Sequence, residues 1–121
     1  MLKITKFGGS SCASAEQFRK VKAIIEADPS RRFVVISAAG RKNPKENKIT
    51  DLLYLCRAHV DYHVDYRPIF EIIRGRFLEI KHELGLNTPI EDELDACAEK
   101  VPDLSVDELV SRGEYFTSKL M

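Results

Sequence analysis

The sequence predicts an α/β fold that begins with a parallel pair of strands and continues mostly as helices. Three observations carry this. Residues Leu2 to Phe7 alternate Leu, Ile and Phe with Lys, Thr and Lys, then end in Gly8-Gly9-Ser10-Ser11, as a strand entering a tight turn does. A helical pattern follows over Ala15–Ala27, opened by Ser14 with Gln17 three residues on, a capping-box spacing. Phe33-Val34-Val35-Ile36 is then a continuous apolar run, expected of a strand covered on both faces. Strand, helix and strand in this order imply a parallel pair joined by a crossover.

Each later element has its own reason. In the first helix Phe18, Val21, Ile24 and Ile25 recur at helical spacing and form the expected buried face, and Asp28-Pro29-Ser30 stops it. Ser37-Ala38-Ala39-Gly40 ends the second strand, and a polar loop with Pro44 runs from Arg41 to Asn47. From about Thr50 the chain turns helical, with Leu52, Leu53, Leu55, Cys56 and Val60 apolar. Arg67-Pro68 marks a break or the first turn of another helix, which carries Ile69, Ile72, Ile73, Phe77, Ile80 and Leu84 and stops near Gly85. Thr88-Pro89-Ile90-Glu91 reads as a capping box opening a helix to about Lys100. Ser105 to Glu108 reads as another, opening a helix that runs to the end of the chain. Two strands make no self-sufficient sheet under that much helix. The fold is therefore expected to be incomplete, the chain truncated after Met121, with a third strand due next.

Composition narrows the function classes. The 121 residues contain 44% hydrophobic and 31% charged residues, ordinary for one soluble domain or part of one. Lys plus Arg and Asp plus Glu are 19 each, so no net charge draws the chain to nucleic acid or an anionic membrane. Arg41, Lys42, Lys45 and Lys48 do cluster, which a solvated basic loop explains without a ligand. Cys12, Cys56 and Cys97 are odd in number and widely spaced, neither a disulfide framework nor a metal set. Reduced thiols, the absence of a signal-peptide pattern and the lack of any long apolar run make the expected location cytoplasmic. No His-Ser or Cys-His arrangement is present, and His59, His63 and His82 read as helix-surface residues without a role.

Three segments carry chemistry. Lys6-Phe7-Gly8-Gly9-Ser10-Ser11 places a lysine at a strand end before paired glycines and hydroxyls, which suits phosphate binding by backbone N–H groups. It lacks the Gly-Lys-Ser/Thr of a Walker A loop, and a plain turn would look the same. Ser37-Ala38-Ala39-Gly40 puts small residues at the carboxyl end of a parallel strand, where open α/β sheets bind ligands. Thr50 downstream is either a ligand hydroxyl or a helix N-cap. In Arg112-Gly113-Glu114-Tyr115-Phe116-Thr117-Ser118, Glu114 and Ser118 share a helix face. A glycine inside a helix costs about 1 kcal/mol relative to alanine, so Gly113 implies a packing or ligand reason. Without context, Glu114 reads as a solvated surface acid.

Together, Lys-Phe-Gly-Gly-Ser-Ser, then Val-Val-Ile-Ser-Ala-x-Gly, Lys-Ile-Thr-Asp-Leu-Leu-Tyr-Leu and Gly-Glu-x-x-Thr closely resemble the aspartate kinase family, of amino-acid kinase fold. The resemblance spans the chain, though residues 61–103 carry little of it. It implies that residues 1–121 are the N-terminal portion of an amino-acid kinase domain, without the nucleotide-binding half or the regulatory ACT domains. It implies ATP-dependent phosphorylation of the side-chain carboxylate of L-aspartate, with ATP and Mg²⁺ bound mainly by residues outside this chain, and a homo-oligomeric whole. By the same resemblance, Lys6 would contact the transferring phosphoryl group, and Gly8, Gly9 and Ser10 would line the phosphate loop. Ser37 and Ala38 would sit beside the reacting groups. Thr50 and Glu114 would hold the α-carboxylate and α-ammonium of aspartate. No residue is assigned to metal. Ser10 stands where the family usually has Thr and Thr117 where it usually has Ser, and both keep a hydroxyl. Two other readings remain: a different amino-acid kinase, or a non-catalytic module that keeps only the fold. The fragment alone is expected to have negligible kinase activity and an adhesive, exposed sheet edge.

Overall fold

The computed structural model describes residues 1–121. Strand β1 (Lys3–Phe7) and strand β2 (Arg31–Ile36) pair in parallel, with Lys6 opposite Val35 and Phe7 opposite Ile36. The connection is helix α1 (Ala15–Glu26), reached through a 3₁₀ turn at Gly9–Cys12. Four helices follow the long loop after β2: α2 (Ile49–Asp61), α3 (Arg67–Leu84), α4 (Glu91–Lys100) and α5 (Val106–Val110). Helix α6 (Arg112–Leu120) closes the chain. The expected α/β order is therefore present, two strands and then helices.

Alternation decides what the sheet buries. Phe7 is buried and Thr5, Val34 and Ile36 are half-buried on the helix side, where Val34 and Ile36 pack on the core. Ile4, Lys6, Phe33 and Val35 share the opposite face and are exposed, Phe33 at 56% and Val35 at 49%. The expectation that Phe33–Ile36 is covered on both faces is thus corrected. All the helices pack on one side of the sheet, so its second face meets none of them. Ile24, expected in the buried face of α1, is likewise exposed; Phe18 and Val21 carry that face.

The core lies among the helices. Phe70, Ile73 and Phe77 of α3 pack with Leu53 and Cys56 of α2, Leu94 of α4 and Phe116 of α6. The Phe77 and Phe116 rings lie 5.7 Å apart in a tilted arrangement. Burying one such aromatic or aliphatic side chain contributes roughly 1.5–3 kcal/mol, so this cluster holds the helices together. Proline opens α3 and Gly85, at φ 65°, ends it in the left-handed conformation.

The capping signals fared unequally. Ser105 and Glu108 form the full reciprocal box at α5, and Ser14 accepts from the Gln17 backbone N–H at 3.4 Å. The box expected at Thr88 does not form. Helix α4 starts at Glu91, capped by Ile90 without a side-chain bond, and Glu91 instead pairs with Lys81 at 2.5 Å. The last helical stretch is broken at Ser111, whose hydroxyl donates to the Glu108 carbonyl at 2.8 Å. His63 is not on a helix surface but in the turn after α2, at φ 57°.

Candidate active site

The Ser37–Gly40 segment leaves β2 and crosses two other backbones at close range. On one side the Gly40 N–H donates to the Gly9 carbonyl at 2.9 Å. A Cβ on Gly40 would lie 2.8 Å from the Gly9 carbonyl carbon and 2.9 Å from its oxygen, closer than real Cβ contacts come. On the other side Gly113 of α6 faces Ala38, and a Cβ there would lie 2.8 Å from the Ala38 Cβ. The helical glycine thus has a packing reason. Its neighbour is this chain's own strand end, so α6 and the 3₁₀ turn grip one segment from both sides.

Hydrogen bonds lock that grip. The fully buried Thr117 hydroxyl accepts from the Ala39 N–H at 3.1 Å and donates to the Gly113 carbonyl at 2.7 Å. The Ile49 N–H, first in α2, donates to the Ala39 carbonyl at 3.1 Å. Buried Arg76 of α3 donates to the Gly40 carbonyl at 2.5 Å and to the Asn47 carbonyl at 2.6 Å. Burial pulls the Arg76 guanidinium below its usual pKa, opposed by Glu46 and Glu79. Burial pushes the Cys12 thiol, in the same turn, above its ordinary range, which makes it an inert packing group. Arg76 was not among the residues expected to matter, and Thr117 was noted only as the hydroxyl that closes the Gly-Glu-x-x-Thr motif. A threonine inside a helix and an arginine at a core-facing position of α3 were the available signals.

Above this floor opens a cleft of about 590 Å³. Six of the eight expected site residues line it: Gly9, Ser10, Ser37, Ala38, Thr50 and Glu114. They come from the 3₁₀ turn, the end of β2, the first turn of α2 and the start of α6, so the fold gathers four separate stretches. Lys6 and Gly8 are not in the lining. Lys6 projects from the open sheet face beside Val35, and Gly8, exposed, caps the 3₁₀ turn. Thr50 is not an N-cap either. Lys48 takes that position, and the Thr50 side chain in the first turn lines the cleft. Arg41 and Lys48, set aside as part of a basic loop, also line it. No three His, Cys, Asp or Glu side chains converge anywhere in the chain, and the cleft holds a single carboxylate, Glu114. The cleft therefore offers Mg²⁺ at most one protein carboxylate, and the ion's other ligands would be substrate phosphates and water. No helix is long and apolar enough to cross a membrane.

Known proteins resemble the chain over nearly its whole length. No protein-family model matches the chain. Aspartokinase 3 of Bacillus subtilis (strain 168) is 34% identical over 127 aligned positions, which take in 99% of this chain and 28% of that protein. The crystal structure of Clostridium acetobutylicum aspartate kinase superposes with a TM-score of 0.92 at 42% identity, covering 97% of this chain and 27% of that one. The chain is homologous to a segment of the aspartate kinases. It has the fold of that aspartate-kinase segment, a two-stranded parallel sheet under helices, and spans about a quarter of the length of the relatives it matches. Escherichia coli aspartokinase III, solved in complex with aspartate and ADP, superposes with a TM-score of 0.75 at 25% identity over 99% of this chain and 28% of that one.

Proposed function

We propose that these residues are the N-terminal, acceptor-binding portion of an ATP-dependent kinase that phosphorylates the side-chain carboxylate of L-aspartate. The observation that carries this reading is the convergence of Ser37, Thr50 and Glu114 beside the Gly9-Ser10 turn in one cleft. Homology to aspartate kinases, one of them solved with aspartate and ADP, supports it. In the reaction a carboxylate oxygen of aspartate attacks the γ-phosphorus of ATP. The bond from that phosphorus to the β,γ-bridging oxygen breaks, and ADP leaves with the electron pair. A free carboxylate, with a pKa of about 4, is already ionised at neutral pH, so no general base is required. What the reaction needs is alignment and relief of the repulsion between two anions.

In this reading Glu114 takes the α-ammonium and Thr50 the α-carboxylate, while Ser37 and Ala38 flank the reacting groups. Gly8, Gly9 and Ser10 form the phosphate-side turn; Lys6, on the open face of β1 and outside the cleft lining, keeps its phosphoryl role from the resemblance alone. This chain binds and neutralises; Mg²⁺ and most of the nucleotide are held outside it. A cytoplasmic location, in keeping with three buried free thiols, and homo-oligomeric assembly belong to the same proposal.

The test is calorimetric titration of the chain with L-aspartate and with N-acetyl-L-aspartate, which lacks the ammonium. Binding of L-aspartate alone, lost in Glu114→Gln, is the expected result. Equal binding of the two, or wild-type affinity in Glu114→Gln, overturns the assignment.

A further inference from the structure

The cleft has a charge pattern that the residues assigned so far do not use. Its lining carries one acid, Glu114, and two cations, Arg41 and Lys48. Two neighbouring cations are already spent: Lys42 pairs with Glu79 at 2.6 Å, and Arg76 lies 3.8 Å from Glu46, while Lys45 of the same loop is not in the lining. Arg41 and Lys48 make no ion pair and no side-chain hydrogen bond, and both are exposed at the rim. An α-amino dicarboxylate is the mirror image of this set, with one ammonium and two carboxylates.

The two cations are held in place by one buried group. Arg76 donates to the carbonyls of Gly40 and Asn47, the residues immediately before Arg41 and Lys48. The loop between them is thereby pinned at both ends, and the backbone N–H of Lys42 closes it further on the Glu46 carboxylate at 2.8 Å. A loop fixed at both shoulders loses less entropy when its side chains engage a ligand.

We propose that Arg41 and Lys48 are a carboxylate clamp that selects an acceptor with two carboxylates, with Arg76 as its positioning residue. This rests on the aspartate-kinase reading of the cleft. Lys48 caps the helix whose first turn carries Thr50 and takes the α-carboxylate with it. Arg41 follows the segment hydrogen-bonded to the Gly9 turn and takes the side-chain carboxylate, the nucleophile. A guanidinium there screens that carboxylate from the phosphate it approaches and orients its two oxygens.

The test titrates the chain with L-aspartate, succinate and L-alanine. Lys48→Gln weakens L-aspartate and L-alanine alike, and Arg41→Gln weakens L-aspartate and succinate while leaving L-alanine unchanged. Each loss is about two- to fivefold, the size of an exposed ion pair, and shrinks as ionic strength rises. Arg76→Gln brings L-aspartate to the affinity of the Arg41→Gln/Lys48→Gln double variant, yet L-alanine falls only as far as in Lys48→Gln, a split that general loosening of the fold would not give. Unchanged L-aspartate affinity in both rim variants, with binding abolished in Glu114→Gln, overturns the clamp and leaves the aspartate reading standing. A wild-type chain that binds no L-aspartate overturns both.

Discussion

The floor and the rim of the cleft are built on opposite principles. The floor is backbone against backbone: Gly40 on Gly9, Ala38 on Gly113, with the Thr117 hydroxyl between strand end and helix. The rim is side chains, with Arg41, Lys48 and Glu114 all exposed and without an acid–base partner. A floor of this kind has no slack, because glycine approaches leave no flexible atom to move aside. A rim of this kind contributes almost nothing to folding. Stability and recognition are therefore separable here, residue by residue.

The sharpest way to break that separation is to add one methyl to the floor. In Gly40→Ala the new Cβ meets Gly9 backbone atoms at 2.8–2.9 Å, and the two segments must part. The expected loss is about 3 kcal/mol, the upper range of overpacking. Gly113→Ala meets the Ala38 methyl instead. Helix propensity returns about 1 kcal/mol there, so a net loss of about 1–2 kcal/mol is expected from overpacking. Urea unfolding of both variants beside Glu114→Gln measures the contrast, since the rim variant should stay within about 0.5 kcal/mol of wild type. A Gly113→Ala chain more stable than wild type would mean that the floor yields, and the comparison would fail.

Thr117 sharpens the same contrast at smaller amplitude. Thr117→Val keeps the shape but leaves the buried Ala39 N–H without an acceptor, at about 1–3 kcal/mol. Thr117→Ser keeps the hydroxyl and should recover most of that loss. Thermal melts of the two variants separate the hydrogen bond from the methyl group, and equal destabilisation in both would assign the effect to packing.

How much of this was legible in the residues follows from the same division. Strand order and the helices came from periodicity and capping, because those signals are local, whereas the gathering of Ser37, Thr50 and Glu114 came only from the resemblance to the aspartate kinases. The floor did not. That Gly113 needed a packing or ligand reason was readable, but its partner Ala38 lies 75 residues away in sequence, and no local pattern names a partner at that distance. Gly9 was read as a residue for phosphate approach, and its packing on Ala38 and Gly40, a second reason for a glycine there, was not readable. The open face of Phe33 and Val35 was missed because a continuous apolar run states preference for burial, not whether a covering layer is present. The Thr88 box failed because Glu91 found a lysine across the α3–α4 turn, a tertiary partner that overrides a local cap. Arg41 and Lys48 looked like a solvated loop, since only the Arg76 anchors, a helix away in sequence, turn that loop toward the cleft.

The smallest effect concerns neither floor nor rim but the ties between helices outside them. The Glu93 carboxylate accepts from Lys119 at 2.7 Å and from the Tyr115 hydroxyl at 3.0 Å, joining α4 to the helix that carries Gly113 and Thr117. These bonds, the Lys119 bond first, hold the Glu93 pKa below the usual carboxylate range, and Lys81 does the same for Glu91. A carboxyl with a depressed folded pKa adds stability above its unfolded value of about 4.3 and loses it as pH falls through the folded value. The melting temperature should therefore be level near neutrality and decline below about pH 4.3, with Glu93→Gln flattening part of that decline. Because these carboxylates are solvent-exposed, the decline should be shallower than the loss from Gly40→Ala at neutral pH. A steep acid collapse that Glu93→Gln leaves untouched would assign the loss to a carboxylate coupled to the floor, Glu46 beside the buried Arg76, and the division between floor and rim would have to be redrawn.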